Sequence, residues 1–331
     1  MKARKIMYSI GIDLGGTNIA VGLCDENLTI IDKGSVPTLA DRAPELIVRD
    51  MAALAGELIK RNRLTLGDIS SVGIAAPGSA DAVRGVVEYA NNLPFKDYPI
   101  AEVFKKHLPI ENVSVANDAD AAALGEALAG AARGAKSSVM ITIGTGIGGG
   151  VIINGRILDG GVNPATAELG HTVILAGGRQ CSCGRRGCWE AYSSATALTD
   201  MTREKMTELE LKGIPSLLFD EANAEGKVSA KTAFSAMKRG DKYASALVDE
   251  YVYYLAAGIT NVINIFQPEI LSIGGGVCKE GEYLTKPLIE IVEREQYARD
   301  SKQTTKIVTA TLGNDAGIVG AAGLNSSPAV K

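Results

Sequence analysis

One short segment concentrates the side chains that could bind a metal ion. The 331 residues include two histidines and five cysteines, and one histidine and three cysteines fall between Glu168 and Glu190. Three thiolates and one imidazole make the tetrahedral ligand set of a structural zinc ion. We therefore predict a closed zinc site that shapes a loop and leaves no open position for water. Its ligands would be His171, Cys181, Cys183 and Cys188.

The spacing of the cysteines favours one metal site over a disulfide. One residue separates Cys181 from Cys183, and two glycines before Cys188 allow the loop to fold back. The alternative is a surface loop with reduced or disulfide-bonded cysteines, but disulfides are rare in the reducing compartment that we expect for this chain. A closed site positions its neighbours, and the flanking carboxylates of Glu168 and Glu190 are the candidates.

Three glycine-rich turns each follow an apolar stretch that predicts a buried strand. Their backbone N–H groups could surround phosphates, and threonine hydroxyls could add donors. None continues into the Gly-Lys-Ser/Thr of a P-loop, and the first leads into a strand, unlike a dinucleotide fingerprint. A single turn of this kind is common without function, but three in matching contexts favour phosphate binding. The turns are Gly15-Gly16-Thr17, Gly144-Thr145-Gly146 and Gly274-Gly275-Gly276.

Carboxylates beside these turns suggest phosphoryl transfer. Asp13 ends the first predicted strand, where it could hold Mg²⁺ or simply cap the turn. Asn117 and Asp118 open an alanine-rich helix, where they could be ordinary N-caps or supply a base that takes a proton from a hydroxyl. A base opposite bound phosphates is typical of phosphoryl transfer. The acceptors for the hydroxyls of a sugar would then be Glu168, His171 and Glu190.

The order of predicted elements indicates two related α/β domains. The strand–turn–strand pattern that begins near residue 6 restarts about 130 residues later, which indicates an internal duplication and two domains that face a central cleft. The second glycine turn is predicted to span residues 144–150 and to precede a strand at 151–153. We predict further helices at 44–61 and 243–266, and further strands at 28–33, 72–75, 113–116, 270–273 and 306–311. We predict a small domain at 1–117, completed by a C-terminal helix at 314–331, and a large domain with the zinc loop at 118–313.

Composition and charge exclude several classes of protein. The hydrophobic fraction of 46% and charged fraction of 22% are typical of a soluble globular chain, and the net charge of −4 argues against nucleic acid as the main partner. No apolar run approaches the about 20 residues of a membrane span. The first residues are basic but lack the apolar core of a signal peptide. We expect a cytoplasmic protein.

Eight motifs in order resemble one known family. Together they are similar to the ROK family of sugar kinases and related repressors, and within it to the bacterial glucokinases. The resemblance covers nearly the whole chain; the cysteine motif paired with E-L-G-H is its most specific part. The motifs are D-L-G-G-T-N at 13–18, A-P-G at 76–78, N-N-L-P at 91–94, N-D at 117–118, I-G-T-G-I-G-G-G at 143–150, E-L-G-H at 168–171, C-S-C-G-R-R-G-C-W-E at 181–190 and S-I-G-G-G-V at 272–277.

The resemblance implies an actin-like ATPase (ribonuclease-H-like) fold and an ATP-dependent glucokinase activity with Mg²⁺ and a structural Zn²⁺. Asp118 matches the catalytic base that takes the proton from the sugar 6-hydroxyl. The positions on the sugar side are Gly78, Asn92, Asn117, Asp118, Glu168, His171 and Glu190. The positions on the nucleotide side are Asp13, Gly15, Gly16, Thr17, Thr145, Gly146, Gly275 and Gly276. His171 would serve twice, with one ring nitrogen on zinc and the other toward a sugar hydroxyl.

Several alternatives stay open at this point. The motifs are shared with kinases for N-acetylmannosamine, N-acetylglucosamine, fructose or allose, and the phosphoryl donor could be ADP or polyphosphate. A sugar sensor without turnover is opposed by Asp118, and a zinc-dependent nucleic-acid module by the charge. Family repressors carry an N-terminal helix-turn-helix domain, for which the early first strand leaves no room. We expect a homodimer or homotetramer, and a slightly tighter loop at Ala167, where the family often has glycine.

Overall fold

The computed structural model describes residues 6–90, 92–158 and 167–326. The chain forms two compact units. Unit 1 consists of Met1–Met140, Gly150–Ala167 and Ala310–Lys331, and unit 2 of Ile141–Gly149 and Glu168–Thr309. Because these units are defined by compactness alone, the domain organisation given above stays a prediction.

Residues 6–90, 92–158 and 167–326 form the following strands and α-helices. The strands are β1 (Tyr8–Leu14), β2 (Asn18–Cys24), β3 (Ile30–Pro37), β4 (Ile69–Ala76), β5 (Ser79–Asp81), β6 (Val86–Tyr89), β7 (Lys96–Tyr98), β8 (Val113–Asn117), β9 (Ser137–Ile143), β10 (Ile147–Ile153), β11 (Arg156–Ile157), β12 (Ile270–Gly274) and β13 (Lys306–Thr309). The α-helices are α1 (Pro44–Arg61), α2 (Ile100–His107), α3 (Asp118–Ala129), α4 (Glu190–Ser193), α5 (Ala195–Leu211), α6 (Leu217–Glu225), α7 (Ala230–Lys238), α8 (Lys242–Phe266), α9 (Glu282–Glu295) and α10 (Ala316–Gly323).

The first sheet has the strand order β3-β2-β1-β4-β8. The predicted meander is confirmed, since β1, β2 and β3 pair antiparallel, whereas β4 and β8 join in parallel. Alternate side chains of β1 and β2 are fully buried beneath α1. The apolar face of α1 predicted the bounds of this helix, 44–61, and the structure confirms them. β1 and β8 therefore end at the same edge of the sheet, where Asp13 and Asn117 lie.

Glycines allow helix α10 to lie unusually close to β1 and α3. A Cβ built on Gly11 of β1 would be 1.8 Å from the carbonyl oxygen of Ile318, and one on Gly320 would be 1.6 Å from that of Ala121. No side chain fits at these positions, so backbone packs on backbone. This packing fixes the start of α3 relative to the end of β1.

The second sheet repeats the order of the first, with β11-β10-β9-β12-β13. The repeat supports the predicted duplication. The predicted turn at 144–150 was wrong in length, because β10 already begins at Ile147. The glycines that follow lie within the strand, and a Cβ on Gly150 would be 2.5 Å from the side chain of Ala123. Gly150 therefore makes room for packing, and these glycines belong to the strand and do not form a turn.

Other differences from the sequence prediction are small or concern short elements. The third strand spans Ile30–Pro37, and the last ends at Thr309. The C-terminal helix spans Ala316–Gly323, and residues 327–331 of its predicted range lie outside the described residues. The three-stranded sheet β5-β6-β7 and helices α2 and α9 were not predicted. Within the described ranges, no helix combines the length and apolar character needed to cross a membrane.

Candidate active site and zinc centre

The first glycine turn joins β1 to β2 in unit 1, directly after Asp13. Thr38, which is fully buried, holds the turn from both ends. Its hydroxyl donates to the carbonyl oxygen of Gly15 at 2.7 Å, and its N–H donates to that of Thr17 at 2.9 Å. Gly16 and Thr17 are exposed at the tip, as a phosphate-binding turn requires. Sequence reasoning missed Thr38, because a threonine after a strand carries no signal of its own.

Two carboxylates of unit 1, Asp13 and Asp118, have raised pKa values, and the charge of Asp118 contributes to the shift of Asp13. Burial, and next the negative charge of Asp118, raise the pKa of Asp13 from 3.8 to about 6. Burial also raises the pKa of Asp118, although the N–H of Ala119 opposes this by donating to Oδ1 at 2.8 Å. Two desolvated carboxylates of raised pKa attract either a proton or a cation, so their chemistry fits a base next to Mg²⁺.

Asn117 is the N-cap of α3, which confirms the prediction of an ordinary capping residue at this position. Its Oδ1 accepts from the N–H groups of Ala119 (2.8 Å) and Asp120 (3.2 Å), and its Nδ2 donates to the carbonyl oxygen of Gly78 at 2.9 Å. Gly78 has φ +86°, and a Cβ there would lie 2.0 Å from a backbone oxygen of β6. The cap therefore fixes where α3 begins, and with it the position of Asp118.

The predicted zinc ligands come together in unit 2. One ligand atom from each of His171, Cys181, Cys183 and Cys188 lies within 4.8 Å of all the others. Cys183 Sγ and Cys188 Sγ are 3.7 Å apart, and Cys181 Sγ is 3.6 Å from His171 Nδ1. A tetrahedral zinc ion with Zn–S of about 2.3 Å and Zn–N of about 2.0 Å separates two sulfurs by about 3.8 Å and sulfur from nitrogen by about 3.5 Å. The four residues fit zinc, with Nδ1 of His171 as the ligand and Nε2 left over.

The zinc loop is anchored by the only tryptophan of the chain. Trp189 is fully buried, and its Nε1 donates to the carbonyl oxygen of Tyr254 in α8 at 3.2 Å. Gly258, one turn further along α8, leaves room for the indole, since a Cβ there would lie 2.0 Å from the ring. Gly187, with φ +85°, turns the loop before Cys188. The loop is thereby fixed next to Glu190.

Both oxygens of the Glu190 carboxylate are held. Oε1 accepts from the hydroxyl of Ser182 at 3.1 Å, and Oε2 accepts from the N–H of Ile147 at 3.0 Å. Ser182 lies between two of the predicted zinc ligands, and Ile147 follows the second glycine turn. Glu190 therefore joins the zinc loop to that turn.

The second and third glycine turns are neighbours in unit 2. A Cβ on Gly275, which has φ +97°, would lie 2.2 Å from the carbonyl oxygen of Ile143, the last residue of β9. Thr145, Gly275 and Gly276 are exposed. The two predicted nucleotide-side turns therefore meet through their backbones.

Glu168 and Asn92 are exposed, so their side chains can reach a ligand. Asn92 lies beside the first turn, because its Cβ is 3.6 Å from the position of a Cβ built on Gly16. Ala167, before Glu168, has φ +53°. This left-handed conformation costs an L-residue roughly 1–2 kcal/mol, so the departure from glycine puts strain next to Glu168.

The structure thus assembles the predicted residues in two groups. In unit 1 they are Asp13, Gly15, Gly16, Thr17, Gly78, Asn92, Asn117 and Asp118. In unit 2 they are Thr145, Gly146, Glu168, His171, Cys181, Cys183, Cys188, Glu190, Gly275 and Gly276.

Comparison with known proteins gives matches over nearly the whole chain. The model of the ROK family matches residues 9–327. The glucokinase of Thermotoga maritima is 39% identical over 319 residues, covering 95% of this chain and 96% of that protein. The glucokinase of Halalkalibacterium halodurans is 37% identical over 314 residues, covering 95% and 93%. The crystal structure of a ROK family glucokinase from Streptomyces griseus in complex with glucose and AMPPNP is 32% identical, with a TM-score of 0.76, and the match covers 96% of this chain and 98% of that one.

Proposed function

This chain belongs to the ROK family, and we propose from this premise that it is an ATP-dependent glucokinase. The observation that carries the proposal is the identity of 37% and 39% to two bacterial glucokinases over 95% of the chain. The α/β fold, with its repeated strand order, is the actin-like ATPase fold of ROK sugar kinases, as predicted.

Asp118 is the proposed base. It takes the proton of the glucose 6-hydroxyl as the hydroxyl oxygen bonds to the γ-phosphorus of ATP; the bond from that phosphorus to the bridging oxygen breaks, and ADP leaves. The raised pKa of Asp118 makes it a stronger base than an exposed carboxylate. The N-cap of Asn117 holds the helix start in place, which keeps the carboxylate from turning away.

The phosphates are proposed to lie on the three glycine turns, whose exposed tips offer N–H donors. Asp13 would hold Mg²⁺, which neutralises phosphate charge when bound. Its raised pKa supports this role, because a nearby cation relieves the cost of ionising a buried carboxylate.

Sugar hydroxyls are proposed to bind the remaining predicted residues, which are Gly78, Asn92, Asn117, Glu168, His171 and Glu190. The zinc-facing Nδ1 of His171 supports a second role for Nε2 as a partner of a hydroxyl. We further propose that the enzyme works in the cytoplasm, supplies glycolysis and forms a homodimer or homotetramer.

A coupled assay of ADP release with ATP, Mg²⁺ and a panel of hexoses tests the proposal. Asp118→Asn keeps the shape but removes the base, so we expect kcat to fall by about 10²–10⁴-fold while the Kd of glucose changes little. Asp32→Asn, on the outer strand β3, is the matched control and should keep the wild-type kcat.

The outcomes separate the alternatives. Full activity of the Asp118 variant would exclude it as the base. Turnover of an N-acetylated hexose in place of glucose would change the substrate. No turnover of any hexose by zinc-loaded protein would favour a sugar sensor.

A further inference from the structure

Ile147, the residue after the second glycine turn, contacts both motifs assigned to the sugar. Its N–H donates to Oε2 of Glu190 at 3.0 Å. Its carbonyl oxygen faces Gly170 of the Glu168–His171 motif, where a Cβ would lie 2.3 Å from that oxygen. The start of β10 therefore donates a hydrogen bond to one sugar-side motif and packs with its carbonyl group against the backbone of the other.

Gly146 leaves the space in which the Glu190 carboxylate lies. The three heavy atoms nearest to a Cβ built on Gly146 all belong to that carboxylate, with Oε2 at 2.2 Å, Cδ at 3.1 Å and Oε1 at 3.8 Å. The φ of Gly146 is not in the left-handed region, so space and not backbone conformation requires glycine here.

The segment after the zinc loop also supports the rest of this turn. The N–H of Ala195 donates to the carbonyl oxygen of Gly144 at 2.9 Å, and the hydroxyl of Thr196 donates to that of Thr145 at 2.7 Å. The turn therefore rests on the first residues of α5, which follows the zinc loop and the short helix α4.

We infer that the Glu190 carboxylate couples the sugar side of the site to the second glycine turn, and that Gly146 is a positioning residue for the sugar. The inference rests on the proposed function, in which Glu190 accepts from sugar hydroxyls. A carboxylate has about four acceptor positions. Among the described residues, Glu190 accepts from Ile147, Ser182 and, at 3.9 Å, the Sγ of Cys181, so a further position can accept a hexose hydroxyl. A bound hexose then fixes Glu190, and Glu190 fixes the turn that receives phosphate.

Gly146→Ala tests this inference without turnover. The added methyl group must displace the flexible end of Glu190 and meets no backbone first, so the fold is retained. Calorimetric titration with glucose, in the absence of nucleotide, should show a Kd raised about tenfold or more, since hydrogen bonds to a charged group are lost.

Gly56→Ala is the matched control. It adds the same group in α1, outside the predicted site, where a Cβ would meet only the side chain of Leu108 at 3.8 Å. We expect its glucose Kd to stay within about twofold of wild type, as expected for a methyl group that makes only an ordinary contact. A wild-type Kd for Gly146→Ala would overturn the inference.

A second titration measures the coupling. A non-hydrolysable ATP analogue should tighten glucose binding to wild type about fivefold or more, the usual scale of coupling between sites. In Gly146→Ala the effect should disappear. Absence of the effect in wild type, or its persistence in the variant, would contradict the coupling.

The proposed function and the inference fail differently. If wild type phosphorylates another hexose, the assignment to glucose fails, and the titrations are carried out with that hexose. If wild type binds a hexose and Gly146→Ala binds it equally well, only the inference fails. A wild type that binds no hexose overturns both.

Discussion

Asp13→Asn should stabilise the ligand-free protein at neutral pH, although it removes a group that the proposed reaction needs. Burial and the charge of Asp118 raise the pKa of Asp13 from 3.8 to about 6. The ionised side chain is therefore less favourable in the folded protein than in the unfolded chain. Asparagine has nearly the same shape and carries no charge.

The size and sign of the effect follow from the pKa. A raised pKa means that the folded protein binds the proton more tightly, so the favourable contribution is complete below pH 3.8 and is lost as the pH rises through about 6. Since one pKa unit corresponds to about 1.36 kcal/mol, the ionised Asp13 costs about 3 kcal/mol at pH 8. At pH 4.5 the cost should be about 1 kcal/mol.

Urea unfolding at pH 8 and pH 4.5, without Mg²⁺ or nucleotide, measures the difference. We expect the Asn variant to gain about 3 kcal/mol at pH 8 and about a third of that at pH 4.5. Asp32→Asn is the control of opposite sign, because hydrogen bonding to Arg61 lowers the pKa of Asp32 to about 2. At neutral pH it should lose less than about 1 kcal/mol, since the pair lies at the surface.

Two results would refute the reasoning. No gain for Asp13→Asn at pH 8 would show that burial and repulsion do not destabilise the ionised carboxylate. A gain of equal size at both pH values would show that the variant acts through packing and not through ionisation.

Two further predictions concern the zinc loop and the helix packing. Cys183→Ser removes a proposed thiolate ligand, so elemental analysis of the purified variant should show that most of the zinc is lost. The control Cys278→Ser changes a cysteine outside the cluster and should keep one zinc ion per chain. A Cys183 variant that still carries one zinc ion per chain would exclude the proposed ligand set. Gly320→Ala places a Cβ 1.6 Å from the carbonyl oxygen of Ala121 and should lower the free energy of unfolding by about 1–3 kcal/mol or more, as measured in urea. Gly56→Ala, in α1, meets only ordinary contacts and should raise it by about 0.5–1 kcal/mol; equal effects would contradict the packing argument.

Long periodic elements and motif residues were predictable from the sequence. The apolar face of α1 gave both of its ends, because a helix on a sheet buries every third or fourth residue. The start of α3 followed from the Asn-Asp pair, since a capping side chain satisfies free N–H groups. Short edge elements such as β5 and β7 were missed, because three residues carry no measurable period.

Glycines misled the prediction where their role depends on distant neighbours. The run after Ile143 was interpreted as one long turn, but Gly150 lies in a strand next to Ala123. The sequence does not show which atoms lie next to Gly146 or Gly56, yet one borders a carboxylate and the other only the tip of Leu108. A glycine in the sequence shows that a side chain is absent, but it does not show which neighbouring group occupies the space.

The cluster of His171, Cys181, Cys183 and Cys188 was determined by the sequence itself, because rare thiol and imidazole groups within a short segment can meet through local folding alone. The raised pKa of Asp13 was decided only by the tertiary structure. It depends on burial by α10 and on the charge of Asp118, which lies far along the chain. Likewise, only the fold shows that the carboxylate of Glu190 accepts a hydrogen bond from the N–H of Ile147. Desolvation and charge–charge distance are properties of the packed chain, and residue types alone do not specify them.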